Sequence, residues 1–333
     1  MDRRTFLALA GGVTAAGGLA GCTPLIGSPE EGKLMSFSLN QTTEHPSYAA
    51  LNAWNVDLAQ ATSDRWGIDV YANATLGGQQ EVVMLVGDGA VDMAVISGTA
   101  LENLNGDYRT MNLPGVFDDI EHQVRVTNDL DIMGDLYSSL EESHGITVVG
   151  MFTQGARNVY TRAPVETPED LAGTRIRVQE SDVAIDMINA MGASATPMPY
   201  AEVYTALQSG ILDGAENNEV SYVTQRHLEV ARNYTHTAHQ VGLDFIVVHT
   251  GLVRGMSEAD ARAFRESWLR ASANHTRLWI EETEAAVATM LDEGVTILEP
   301  DRAPFVERLQ AVAERYLTTD TSRALYARIR EEA

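Results

Sequence analysis

At 333 residues, 44% hydrophobic and 21% charged, the chain is long enough for two domains and has an ordinary globular composition. Its 47 Asp and Glu against 23 Lys and Arg, a formal net charge of -24, argue against nucleic acid or an anionic membrane surface as partner. The single cysteine, Cys22, excludes a disulfide within the chain.

Residues 1–22 read as an export signal and not as part of the fold. Arg3 and Arg4 precede a short Gly/Ala-rich apolar run that ends in Leu19-Ala20-Gly21 before Cys22. That run is too short and too glycine-rich to cross a bilayer as a stable helix. The paired arginines resemble a twin-arginine export signal, and the Leu-Ala-Gly-Cys ending resembles a bacterial lipoprotein box with Cys22 as the lipid attachment point. The competing reading is an ordinary cleavage site beside an incidental cysteine. Residues 23–33 then read as a tether. No later stretch holds about 18 consecutive apolar residues, so membrane contact is expected only through the lipid.

From residue 34 strands and helices alternate. "LMSFSLN" reads as a strand, 47–64 as a helix, "GIDVYAN" as a strand, 79–87 as a helix and "VDMAVIS" as a strand. This βαβαβ run implies a mainly parallel sheet covered by helices. A long helical region near 119–143 leads to the strand "GITVVGMF", and further strands fall at 157–162 and 174–178. Thr167, Pro168 and Asp170 form a capping-box variant that starts a brief helix ended by Gly173. Helices follow at 182–191, ended by Gly192, and through "YAEVYTALQSG", ended by Gly210. "YTHTAHQ" and "LDFIVVHT" read as strands leading back toward the first domain. Ser257 caps a helix with no breaker until Gly294, about 36 residues and roughly 54 Å, long enough to reach across two domains. Helices at 303–317 and 319–332 close the chain.

Signatures of catalysis are missing: no strand-linked G-x-G-x-x-G, no phosphate-loop lysine motif, no H-E-x-x-H and no G-x-S-x-G. No cofactor and no metal site is expected. His236 and His239 would face opposite sides of a strand, which disfavours a metal pair. Asp213 and Glu216 remain available as the carboxylate pair of a sugar-acid lyase or hydrolase. Recognition chemistry concentrates instead between 155 and 222: Arg157, Arg177, and Glu216-Asn217-Asn218 beside a glycine turn. Alternation puts Arg175 and Arg177 on one face of a strand and Ile176 and Val178 on the other. Arginine grips carboxylates with two parallel bonds, while amides and carboxylates serve sugar hydroxyls, so the implied ligand is an anion carrying hydroxyls.

"DLAGTRIRVQES", "GASATPMPYAEVYTALQSGILDGAEN" and "LGGQQEVVMLVGDGAVDMAVIS" strongly resemble the substrate-binding proteins of tripartite ATP-independent periplasmic (TRAP) transporters, in order from about 34 to the C-terminus. The resemblance implies a two-lobe α/β periplasmic-binding fold with a hinge and a long spanning helix. On it, 34–154 plus 243–282 form lobe I and 155–242 plus 283–333 form lobe II. It also implies a ligand carboxylate held by Arg177, with Arg157, Asn217, Asn40 and Tyr200 in the cleft, and delivery to small and large membrane subunits. Arg175 is left as surface. "GAR", "RVQ-S" and "DGAENN-x-x-S" look like the branch that binds hexuronates such as glucuronate and galacturonate. Glu216, Gln80, Glu44, His45, Glu180 and His239 are further candidates for the hydroxyls, and His122 reads as a cap or packing residue. A C4-dicarboxylate, a sialic acid or an aromatic acid remain alternative ligands.

Overall fold

A computed structural model describes residues 33–333; the signal 1–22, Cys22 and tether residues 23–32 lie outside the described residues. Lys33, read as the end of the tether, already belongs to the first strand. Nine strands form one mixed sheet: β1 Lys33–Ser38, β2 Trp66–Tyr71, β3 Met93–Ser97, β4 Ile146–Thr161, β5 Arg175–Val178, β6 Ser194–Pro197, β7 Gly214–Asn217, β8 Asn233–His249 and β9 Thr296–Leu298. Their order is β2-β1-β3-β8-β4-β7-β5-β6, with β9 added to β8.

The parallel sheet implied by the βαβαβ run holds for β1 with β2 and β3, and a second parallel set joins β5 to β6 and β7. Between them runs an antiparallel pair, β4 with β8, which the alternation read as four shorter strands. The four are two because the pairing resumes across the irregular middle, Thr153 with Leu243 and Ala156 with Val241, leaving only Gln154, Gly155 and Gly242 unpaired between them. Register slips between Thr153 and Ala156 and again between Arg157 and Val159, so each long strand bends there without ending. β6 and β9, of 4 and 3 residues, carry no alternation long enough to read.

Gly155 sits at the first slip with φ 57°, and a Cβ there would lie 2.7 Å from Trp279 Nε1. Only glycine combines that left-handed backbone with so close an indole. Trp279 belongs to the helix Glu258–Asp292, whose start is fixed as expected by Ser257 Oγ accepting from Asp260 N at 3.1 Å. This 35-residue helix, about 53 Å long at 1.5 Å per residue, serves both ends of the sheet. Trp268 packs with Trp54, Phe37 and Phe152 at one end, and Met290 packs with Tyr160, Tyr222 and Tyr234 at the other.

The region near 119–143 is three helices, Ile120–Asn128, Leu130–Ser138 and Glu141–His144. Asp129 divides the first two: its backbone is extended and its carboxylate accepts from Asp131 N, so it caps a new helix instead of continuing the old one. The Thr167 capping box, Gly192 and Gly210 act as expected, the two glycines at φ 112° and 76°.

Candidate functional site

The sheet opens at its centre into a cavity of about 470 Å³, within the range of small-molecule sites. Its walls come from both ends of the sheet. Asn40 and Gln41 follow β1, Gln80 opens the helix Gln79–Gly87, Gln154 and Arg157 lie on β4, and Asp244 lies on β8. From the other end come Arg177 on β5, Gln179 just after it, Tyr200, and Asn217 at the end of β7. Seven of the eleven residues expected to bind ligand therefore meet at one cavity: Arg177, Arg157, Asn217, Tyr200, Asn40, Gln80 and Glu180.

Arg177 is 4% exposed. Its Nε and Nη2 both donate to one neutral acceptor, the Met198 carbonyl, at 2.9 and 2.7 Å, and its guanidinium stands 5.6 Å from the Tyr200 ring centre. No carboxylate among the described residues forms an ion pair with it. Burial draws its pKa down, with the charge of Glu216 opposing.

Arg157 is arranged differently. Its Nε and Nη2 grip both carboxylate oxygens of Glu216 at 2.5 and 2.8 Å, Nη2 also donates to the Glu216 carbonyl, and Nη1 donates to Asn217 Oδ1 at 3.0 Å. Burial pushes the Glu216 carboxyl up, but Arg157 and His239 hold it down at about 2. One cleft arginine is thus neutralised in place and the other is not.

Glu216 and His239, expected to touch ligand hydroxyls, stand behind this wall. Both carboxylate oxygens of Glu216 are taken by Arg157. His239 Nε2 lies 3.5 Å from Glu216 Oε2, and its Nδ1 is 2.9 Å from Thr237 Oγ1. Glu44 is exposed and outside the cavity. His45 is fully buried as the cap of the helix Pro46–Ala61: its Nδ1 accepts from Ser47 N, and its ring lies 5.6 Å from that of Trp279. Burial lowers its pKa to about 3. Against expectation, none of these four lines the cavity: Glu216 and His239 support its wall from behind, His45 serves as a helix cap and Glu44 faces solvent.

Glu180 lies at the exposed rim. His122 packs as expected, with Nδ1 accepting from Asp118 N and Nε2 2.9 Å from the Ile329 carbonyl. Arg175 is surface, paired through two bonds with Asp213. That pairing dismantles the carboxylate pair of an enzyme: Asp213 and Glu216 each face their own arginine, and neither Asp213 nor Glu216 lines the cavity. Among the described residues no group of His, Cys, Asp and Glu could hold a metal ion.

Gln41, Gln154, Gln179 and Asp244 line the cavity without having been singled out. Asp244 did carry a signal, as the one charged residue inside the apolar run "GLDFIVV", where a carboxylate costs free energy unless something answers it. Burial pushes its carboxyl up to about 7, with Arg157 opposing.

Residues 37–320 match a family model described as bacterial extracellular solute-binding protein, family 7. A solute-binding protein of Chromohalobacter salexigens is 31% identical over 301 residues, 86% of this chain and 89% of that one. Among solved structures, a TRAP periplasmic solute-binding protein of Anaerococcus prevotii with bound α/β-D-glucuronate aligns with a TM-score of 0.87 at 33% identity, covering 90% of this chain and 97% of that one. Another, from Bradyrhizobium, in complex with α/β-D-galacturonate, gives 0.85 at 31% identity, covering 90% and 100%.

Proposed function

The chain belongs to the family 7 bacterial extracellular solute-binding proteins, and from that premise we propose that its cavity captures a hexuronate such as glucuronate or galacturonate. The observation that carries the reading is Arg177, a buried guanidinium at the cavity wall whose only acceptor among the described residues is a neutral carbonyl. Arginine keeps its charge at any working pH, so a buried one without a counter-ion calls for an anion. Several amides, Tyr200 and the Asp244 carboxylate are among the other lining groups and suit hydroxyls better than a second acid group.

On this reading the ligand carboxylate takes the free edge of Arg177, while Asn217, fixed by Arg157, and Tyr200 flank it. The lobes, 34–154 plus 243–282 and 155–242 plus 283–333, close around the ligand, and the slip in β4 at Thr153–Ala156 supports placing the hinge there. Closure excludes water and strengthens the charge-assisted bonds. The net charge of -24 repels anions at long range, so Arg177 acts by contact and not by steering. Residues 1–22 direct export by the twin-arginine route, Cys22 carries a lipid, and the loaded protein passes its ligand to the small and large TRAP membrane subunits.

The test is a thermal-shift and calorimetric panel of hexuronates, dicarboxylates, sialic acid and aromatic acids, run on wild type and Arg177→Ala. Wild type is expected to be stabilised by a hexuronate without converting it. Arg177→Ala should weaken that binding by about 2–5 kcal/mol, roughly thirtyfold to a few thousandfold. Binding within tenfold of wild type would remove Arg177 from the role, and turnover of the ligand would remove the reading.

A further inference from the structure

Among the described residues, each strongly buried carboxylate has a partner except one. Glu216 has Arg157, Glu102 accepts from Asn112 at 3.2 Å, Glu219 accepts from Asn158 at 3.0 Å, and Asp260 has Arg65 and Ser257. Asp244, 5% exposed, accepts no hydrogen bond and forms no ion pair among the described residues, and it lines the cavity. An isolated acid in that position is costly unless a ligand completes it.

Its position in the sheet separates it from Arg177. Arg177 stands beside Ala215 of β7, which faces Tyr160 of β4, whereas Asp244 pairs with Phe152, eight residues farther along β4. On its other side Asp244 pairs with Ser97 at the end of β3. Asn40 and Gln41 run on from the parallel neighbour β1 toward the same level, and Gln154 follows Phe152 on β4. Asn40 Oδ1, Gln41 Oε1 and Gln154 Nε2 are buried, line the cavity and also lack partners. Opposite the arginine, then, lies a patch of unmet polar atoms dominated by a carboxylate.

Resting on the hexuronate reading, we infer that Asp244 selects a polyhydroxy acid over a dicarboxylic acid. Its carboxylate accepts hydrogen bonds from ligand hydroxyls at the end remote from Arg177 and repels a second carboxylate placed there. A sugar acid brings hydroxyl donors to that patch, whereas a C4-dicarboxylate such as malate, with one end on Arg177, presents its second carboxylate there, so one residue both attracts the right ligand and penalises the wrong one.

The experiment titrates wild type, Asp244→Asn and Asp244→Ser calorimetrically with D-glucuronate, D-galacturonate and L-malate at one pH. Both variants remove the charge at near-constant or smaller volume, so misfolding of either leaves the other to be read. Wild type should favour a hexuronate over malate by roughly a hundredfold or more, and each folded variant should shrink that ratio at least tenfold, with malate binding gained as uronate binding falls. A wild type that prefers malate overturns the hexuronate reading and this inference with it. A wild type that prefers a hexuronate, with variants whose ratio is unchanged, overturns the role of Asp244 alone.

Discussion

Arg157 and Arg177 look alike in sequence and differ in what removal of a partner would do. Arg157 and Glu216 form a buried, bidentate pair, so taking away one charge strands the other. Glu216→Gln should therefore lower the urea unfolding free energy by about 3–5 kcal/mol at pH 7. Adding Arg157→Met to Glu216→Gln should recover part of that loss, because the stranded guanidinium is gone. A double variant as unstable as the sum of the singles would show that the pair does not act as a unit. Arg177 has no such counter-charge to strand, and its substitution should be felt in binding. The sequence brought Arg177, Arg157 and Asn217 into view because arginine in a strand and amides beside a turn are chemically conspicuous. It did not reveal which arginine was already neutralised, since the order β4-β7-β5 that sets Glu216 against Arg157 joins segments about 60 residues apart, as the separation of 59 between the two residues records.

At the scale of elements, local chemistry spoke plainly where an element ends on its own residues. Ser257, the Thr167 capping box, Gly192 and Gly210 all act within a few residues of themselves, and each was legible. The long strands β4 and β8 were not. Their continuity depends on 16 and 17 residues pairing across a bulge that no local pattern announces. Gly155 holds that bulge against Trp279 of the long helix, and a comparison with Gly173 separates its two roles. Both glycines are left-handed, at φ 57° and 77°, but a Cβ at Gly173 meets nothing within 4 Å. Alanine at Gly173 should cost only the conformational term, about 1–2 kcal/mol. Gly155→Ala adds displacement of a buried indole and should cost about 1–3 kcal/mol more. Equal losses in urea titrations of the two variants would mean that the contact with Trp279 carries no weight at the bend.

Across the whole molecule, both ends of the sheet bury histidines in the neutral form. His45 caps the first helix, His275 of the long helix stacks on Phe152 at 3.9 Å between ring centres, and His227 meets Tyr160 Oη at 2.7 Å. Burial brings His45 and His227 to about 3 and His275 well below its usual range. The unfolded chain protonates all three near 6.5, so their contribution is present above that pH and is lost as pH falls toward 3. Asp244, raised to about 7 by burial, runs the other way: its contribution is present below the ordinary carboxylate range and is lost as pH rises through 7. Buried Glu102, also raised, has the same sign as Asp244. Three protons bound on unfolding outweigh those released by Asp244 and Glu102, at most two, and the lowered carboxyl of Glu216 favours the same direction as the histidines. Stability without ligand should accordingly rise between pH 4.5 and 6 by at least about 1 kcal/mol per pH unit. His45→Asn keeps an N-cap side chain and removes one titrating ring, so it should flatten that slope by about 1 kcal/mol per unit. Urea midpoints that fall over this range, or a variant slope equal to that of wild type, would mean that these histidines take up protons without unfolding, through water that reaches both halves of the interior.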